Sequence, residues 1–178
     1  MDHYAVVLFL PSEIAFRIAE VRRRLPAPTP RLPDPHIALK AGLRPRGDLT
    51  ALDQIVAAVT AASRPIDLVT SRVRLVDEGE VTRAFVDVTL NQAMVELHER
   101  LVEDSSYFGR TDDDVPGRFQ PTIVVAVAPR TSLDDVRITL RTVARVGRFR
   151  IEEASLICQF ANGEWQTIET YPLGELVK

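Results

Sequence analysis

Two short segments of the chain repeat one pattern at a distance of 86 residues, and this repeat constrains the fold more than any other feature. Residues 35–39 read Pro-His-Ile-Ala-Leu, and residues 121–125 read Pro-Thr-Ile-Val-Val. Each copy is a proline, then a polar residue, then a run of β-branched and aliphatic residues that is typical of a β-strand. The repeat therefore predicts two related strands, one in each half of the chain.

The polar side chains of these predicted strands define the candidate site. Alternate side chains of an extended chain point to opposite faces, so we expect His36, Ala38 and Lys40 on one face and Thr122 and Val124 on the equivalent face. If the two strands face each other across a groove, that groove holds one imidazole and one hydroxyl. We therefore take His36 and Thr122 as the candidate catalytic residues.

Three further residues near the two strands are candidates for substrate binding. Lys40 would bring an ammonium group to an anionic ligand in the groove, although a lysine at a strand end can also extend along the surface to solvent without contacting a ligand. Arg118 and Phe119 lie just ahead of the second segment, where a guanidinium fork suits phosphate and a phenyl ring can stack on a nucleobase. Their ordinary roles, as a solvated loop arginine and a core phenylalanine, stay open. His36 itself has a structural alternative, as a hydrogen-bonded residue at a strand start.

The remaining periodicity predicts alternating strands and helices. Besides the two repeated segments, strands are predicted over 5–10, 66–76 and 84–90, with a final hairpin of 149–160 and 165–171 that turns at Asn162-Gly163. Helices are predicted from Ser12, after a cap at Asp48, over 92–103 and from Ser132. The halves share this order, which indicates one duplicated α+β domain over residues 1–178. It has two lobes related by a pseudo-two-fold axis, antiparallel sheets lining a central groove, and helices outside.

This order of elements and the Pro-His-aliphatic-x-aliphatic strand resemble the two-histidine (2H) phosphoesterase superfamily, which includes 2'-5' RNA ligase-like proteins and cyclic phosphodiesterases. The resemblance implies a His-x-Thr motif in each half, with the histidines as acid and base on a 2',3'-cyclic phosphate or 2'-5' bond and the threonines holding the phosphate. His36 matches the first histidine and Thr122 stands at the second. Ala38 and Val124 stand at the threonine positions.

These replacements remove much of the expected chemistry. A threonine hydroxyl is neither a useful acid nor a useful base near pH 7. A positioned acid or base contributes ~10²–10⁴ in rate. The sequence favours a degenerate member that binds a nucleotide or RNA end with little or no catalysis. Two alternatives stay open: an active RNA 2',3'-cyclic phosphodiesterase that uses His36 with a non-family partner, and a non-catalytic interaction or dimerisation domain.

Composition limits the partners that we expect. A net charge of −3 and a pI of about 5.7 argue against bulk nucleic-acid binding but leave a small nucleotide or RNA terminus. One cysteine and the lack of a membrane-length apolar run predict a cytoplasmic protein with no membrane partner. No nucleotide-binding glycine motif is present, so no cofactor is expected. The Asp112–Asp114 run lacks the partners of a metal site, so no metal is expected. The sequence does not set the oligomeric state.

Overall fold

A computed structural model of the protein describes residues 2–24, 32–45, 49–129, 138 and 147–174. The strands are β1 His3–Phe9, β2 His36–Leu43, β3 Ile66–Asp77, β4 Val81–Val88, β5 Thr122–Pro129, β6 Arg148–Ile151, β7 Glu153–Gln159 and β8 Trp165–Pro172. The helices are α1 Ser12–Arg24, α2 Thr50–Ala61 and α3 Gln92–Asp104, and two short 3₁₀ turns follow at Ser106–Phe108 and Asp112–Asp114. The predicted cap at Asp48 and most of the helix predicted from Ser132 lie outside the described residues.

The described strands form one antiparallel sheet in the order β6-β3-β4-β5-β2-β1-β7-β8. Its two halves are the first lobe (β2, β1, β7 and β8) and the second lobe (β6, β3, β4 and β5). The repeated segments are β2 and β5, and they lie side by side at the centre rather than facing each other. They share one residue pair, Ile37 with Ile123. The unit β1-α1-β2 of the first lobe corresponds to β4-α3-β5 of the second. The predicted duplicated α+β fold is confirmed.

One face of the sheet, the covered face, is packed against the helices. Each helix buries one stripe of apolar side chains at helical spacing, and these join a single core with alternate residues of the strands. In α3 this stripe follows Asn91, whose side chain caps the helix by accepting from the Met94 amide at 2.9 Å. The opposite face, the groove face, carries a small second cluster of Ala5, Val7 and Ile157.

The segment predicted as one strand over 149–160 is two strands in the structure. The chain breaks its pairing at Glu152, and β6 pairs with β3 in the second lobe while β7 pairs with β1 in the first. The burial pattern changes with this division, since β6 alternates between exposed and buried residues whereas residues 154–158 are all buried. No helix among the described residues is long and apolar enough to cross a membrane.

Candidate functional site

The four repeated positions form a compact group at the centre of the groove face, which we call the motif square: His36, Ala38, Thr122 and Val124. Because Ile37 lies opposite Ile123 in an antiparallel pair, the register places His36 beside Val124 and Ala38 beside Thr122. The two isoleucines are fully buried on the covered face. The four side chains of the motif square therefore share the opposite face, as the alternation in the sequence predicts.

Each motif strand contains a β-bulge just after the motif square. In the first lobe Val7 pairs with Ala38 but Val6 pairs with Lys40, so Leu39 is the extra residue. In the second lobe Phe85 pairs with Val124 but Ala84 pairs with Ala126, so Val125 is the extra residue. Leu39 and Val125 each come one residue after the second motif position of their strand, which makes them equivalent.

The first bulge corrects the prediction for Lys40. It turns Lys40 to the covered face, where the residue is only 1% exposed. The ammonium group donates to the Asp114 carboxylate at 2.8 Å and to the Gly109 carbonyl at 3.0 Å. Burial alone would raise the pKa of Asp114, but the hydrogen bonds from Lys40 and from the Thr111 amide leave it lower than usual. Lys40 therefore anchors the loop after α3 instead of lining the groove beside His36.

The carbonyl groups of the two bulge residues accept hydrogen bonds from helices of the opposite lobe. Nδ1 of His98, in α3, donates to the Leu39 carbonyl at 2.7 Å. Nε of Arg22, in α1, donates to the Val125 carbonyl at 2.9 Å, and its Nη2 donates to the Val124 carbonyl at 2.9 Å. A bulge disturbs the regular ladder, so these side chains satisfy carbonyls at the place where pairing is interrupted.

His36 is fixed at the start of β2 by its neighbours. Its Nδ1 donates to the Asp34 carbonyl at 2.7 Å, and its ring forms a T-shaped pair with Phe9 with 6.2 Å between ring centres. Burial lowers the pKa of His36, and the nearby Arg22 charge lowers it further. The neutral ring therefore keeps its proton on Nδ1, and Nε2 is left as a hydrogen-bond acceptor or base.

The second-lobe side of the motif square is lined by arginines and one carboxylate. Asp87 lies across from Thr122, and Phe85 lies across from Val124. Arg72 and Arg74 donate to Asp87 at 3.0 and 3.2 Å, and the Arg74 guanidinium also lies 5.1 Å from the centre of the Phe85 ring. Burial alone would raise the pKa of Asp87, but these arginine hydrogen bonds leave it below its usual value.

The first-lobe side of the motif square is aromatic. Phe9 pairs with His36, and both Phe9 and Trp165 pack against the small cluster of the groove face. A cavity of about 440 Å³ opens here, with Phe9, Asp34 and Trp165 in its lining. Sequence reasoning missed Phe9 and Trp165. The available signal was an aromatic residue at the end of the first strand and another at the start of the last.

Phe119 and Arg118 lie away from the place that the sequence suggests for them. Phe119 is 9% exposed, and its ring stacks on His98 at 4.0 Å in the core, so it is not available to stack on a base. Arg118 is exposed in the loop before β5. Of the predicted site residues, the structure brings His36 and Thr122 together, whereas Lys40 and Phe119 belong to the covered side.

Comparison with known proteins identifies the family. The sequence model of the 2'-5' RNA ligase superfamily matches residues 10–159. The chain belongs to the 2'-5' RNA ligase superfamily. No curated protein sequence matches it.

Solved structures of LigT-like proteins share the fold of this superfamily member. TT0787 of Thermus thermophilus has a TM-score of 0.66 at 17% identity, with 97% of this chain and 99% of that chain covered. E. coli LigT complexed with 3'-AMP has a TM-score of 0.65 at 15% identity, with 97% and 98% covered. E. coli LigT complexed with phosphate has a TM-score of 0.66 at 14% identity, with the same coverage. These likenesses show the superfamily fold over nearly the whole chain.

Beside the motif square this superfamily member has an unfilled space. A cavity of about 90 Å³ is lined by Ala38, Thr122, His98 and Phe119, among other residues. It lies where the resemblance implies a larger histidine at position 122 and a threonine at position 38. Among the described residues, no group of three or more histidine, cysteine or acidic side chains is placed to hold a metal ion.

Proposed function

We propose that this protein binds a small phosphate-bearing ligand, a nucleotide or the terminus of an RNA, at the motif square, with little or no turnover. One observation carries the proposal: of the four motif positions, His36 alone has a group that can transfer a proton near pH 7. The other three side chains are a hydroxyl and two apolar groups.

The proposed loss of turnover follows from what the reaction needs. Opening a 2',3'-cyclic phosphate requires a base that activates water and an acid that protonates the leaving oxygen. A neutral His36 supplies the base, since its pKa is lowered. Thr122 offers one hydrogen bond to a phosphate oxygen but no proton transfer, and the missing acid forgoes a factor of ~10²–10⁴ in rate. Asp87 does not replace it, because its pKa is also lowered and it stays ionised.

Ligand binding is supported by the charges around the motif square. Arg74 donates to Asp87, the residue across from Thr122 on the neighbouring strand. The charge of Arg22, on the covered face, lowers the pKa of His36. The Arg74 guanidinium is suited to donate to a phosphate oxygen as a fork, whereas all three nitrogens of Arg22 already donate to backbone carbonyls. E. coli LigT, whose fold this chain shares, has been solved with 3'-AMP, phosphate and ATP.

Calorimetric titration with 3'-AMP and with inorganic phosphate tests the proposal. We expect both to bind the wild type, and we expect Arg74→Gln to weaken 3'-AMP binding by about tenfold or more, because a hydrogen bond to a charged group contributes about 1.5–3 kcal/mol. His36→Ala and Thr122→Val should also weaken binding. Arg100→Gln is the matched control, since Arg100 is exposed on α3 and away from the groove face. Absence of binding to the wild type, or equal loss in the Arg100 control, would contradict the proposal.

A further inference from the structure

The cavity beside His36 has the dimensions and lining of a site for one flat ring. Its volume is about 440 Å³, within the range of ~300–1,000 Å³ typical of small-molecule sites. Its apolar lining includes the aromatic rings of Phe9 and Trp165, together with Leu32, Pro33 and Ile157. Proteins that bind single-stranded nucleic acids stack the unpaired bases on such aromatic side chains. They recognise each base by hydrogen bonds to its edge.

The polar lining of this cavity is acidic. Its charged lining residues are Asp34 and Glu164, its neutral polar ones are Gln166 and Thr167, and none of the described residues that line it is a lysine or arginine. A phosphate is repelled there, whereas the arginines around Asp87 lie in the other lobe. The groove is therefore polarised, with an acidic aromatic cavity on one side of the motif square and arginines on the other.

Asp34 connects these two ends of the groove. Its backbone carbonyl holds Nδ1 of His36 at 2.7 Å, while the residue also lines the cavity. The Phe9 ring, centred 6.2 Å from the His36 ring, lies within the reach of a base whose own phosphate contacts His36. The other carboxylate, that of Glu164, already accepts a hydrogen bond from the Asn162 amide at 2.9 Å.

We infer that the cavity selects a guanine base, which stacks on Phe9 and Trp165 and donates from its N1–H and N2–H groups to the Asp34 carboxylate. A carboxylate accepts hydrogen bonds and donates none. Guanine alone among the four bases presents two adjacent donors on its Watson–Crick edge. Adenine and cytosine place a ring-nitrogen acceptor beside one donor, and uracil flanks its single donor with acceptors. This inference rests on the proposed binding function and names its substrate class: guanine nucleotides or RNA ends that terminate in guanosine.

Fluorescence titration tests the inference directly, because Trp165 is the only tryptophan of the chain. We expect 3'-GMP to quench Trp165 emission and to bind at least tenfold more tightly than 3'-AMP, 3'-CMP or 3'-UMP. Inorganic phosphate should bind, by calorimetry, without quenching. Asp34→Asn offers one donor and one acceptor, so it should lower 3'-GMP affinity and raise 3'-AMP affinity. Glu99→Gln is the charge-matched control on α3 and should leave the preference unchanged.

The outcomes separate this inference from the proposed function. Equal affinities for the four nucleotides, or 3'-GMP binding without quenching, would overturn guanine selection while leaving phosphate binding at the motif square intact. An unchanged preference in Asp34→Asn would remove Asp34 from the assignment and overturn it as well. Failure of phosphate and of all four nucleotides to bind would overturn the proposed function itself.

Discussion

Leu39 and Val125 are equivalent bulge residues of the two lobes, and the carbonyl of each accepts a hydrogen bond from a helix of the opposite lobe. His98 of the second lobe reaches Leu39, and Arg22 of the first lobe reaches Val125. Because β2 and β5 share only one residue pair, Ile37 with Ile123, these two hydrogen bonds add to the shortest strand pairing of the sheet. The same bonds hold the strands that carry the motif square, so the geometry of the site depends on them.

Replacing His98 tests the first of these bonds. His98→Leu leaves the buried Leu39 carbonyl without its donor, and an unsatisfied buried polar group costs about 1–3 kcal/mol. We expect the free energy of unfolding, measured by urea denaturation, to fall by at least that amount, since stacking on Phe119 is also changed. Glu99→Ala, on the next and exposed position, should shift it by no more than about 0.5 kcal/mol. A His98→Leu protein as stable as the wild type would contradict this role.

The buried ion pair of Lys40 and Asp114 gives a second prediction. Their side chains are 0% and 5% exposed, so Lys40→Met leaves a buried carboxylate unpaired. Removing one member of such a pair costs about 3–5 kcal/mol, whereas replacing both by apolar residues is often neutral. We therefore expect Lys40→Met to be strongly destabilised in thermal or urea unfolding and the double variant Lys40→Met with Asp114→Leu to recover most of the loss. A double variant no better than Lys40→Met would rule out the pair as the cause.

The same pair has a consequence at low pH. The pKa of Asp114 is lower in the folded protein than in the unfolded chain. The stability that it contributes is therefore complete above its ordinary pKa of about 3.9 and is lost as the pH falls through the folded value. An acid titration of unfolding should show that loss in the wild type. In Asp114→Asn, the part of this stability loss that Asp114 causes should be absent. An acid-unfolding profile identical to that of the wild type would contradict the role given to Asp114.

His36 is predicted to be neutral in the binding-competent protein. Burial and the Arg22 charge lower its pKa, so its imidazole resonances should titrate below about pH 6.5 in NMR spectra. Stability linked to the neutral ring is present above about pH 6.5 and is lost as the pH falls through the lower folded pKa. Arg22→Gln should raise the pKa of His36 without bringing it above its ordinary value, because burial is the larger cause. A wild-type titration at or above its ordinary pKa would contradict this picture.

Restoring the family motif tests why turnover is expected to be missing. The cavity of about 90 Å³ beside Ala38 and Thr122 gives room for larger side chains. We expect the variant with Ala38→Thr, Thr122→His and Val124→Thr to hydrolyse a 2',3'-cyclic nucleotide at least ~10²-fold faster than the wild type, the lower end of the acid–base contribution. His36→Ala in the restored background should abolish the gain. A folded restored variant with no increase in rate would show that more than the motif is missing.

Much of the fold was predictable because it rests on periodicity. The stripe of Met94, Leu97 and Leu101 correctly placed α3, and the repeated segments correctly placed the two central strands. The division at Glu152 was not predictable from local pattern, because β6 and β7 take their partners from distant parts of the chain.

The site was predictable only where the strands stay regular. His36 and Thr122 lie together because Ile37 pairs with Ile123, but the bulge at Leu39 turns Lys40 to the other face. A bulge shifts the alternation by one residue, but the residue that it turns to the covered face here is a lysine, so the apolar pattern of the sequence does not reveal it. Phe119 could not be told from a ring on the groove face, because its stacking partner His98 is distant in sequence.

Whether the motif square binds a nucleotide phosphate without converting it can be seen by ³¹P NMR. Spectra of 2',3'-cyclic GMP, recorded over hours with a stoichiometric amount of the wild-type protein, separate binding from chemistry in a single sample. We expect a cyclic-phosphate resonance that shifts and broadens on binding and then persists, while His36→Ala, which binds more weakly, gives a smaller shift. Conversion of that resonance to a 2'- or 3'-phosphomonoester signal by the wild type, abolished in His36→Ala, would show that the protein is an active phosphodiesterase and refute binding without turnover.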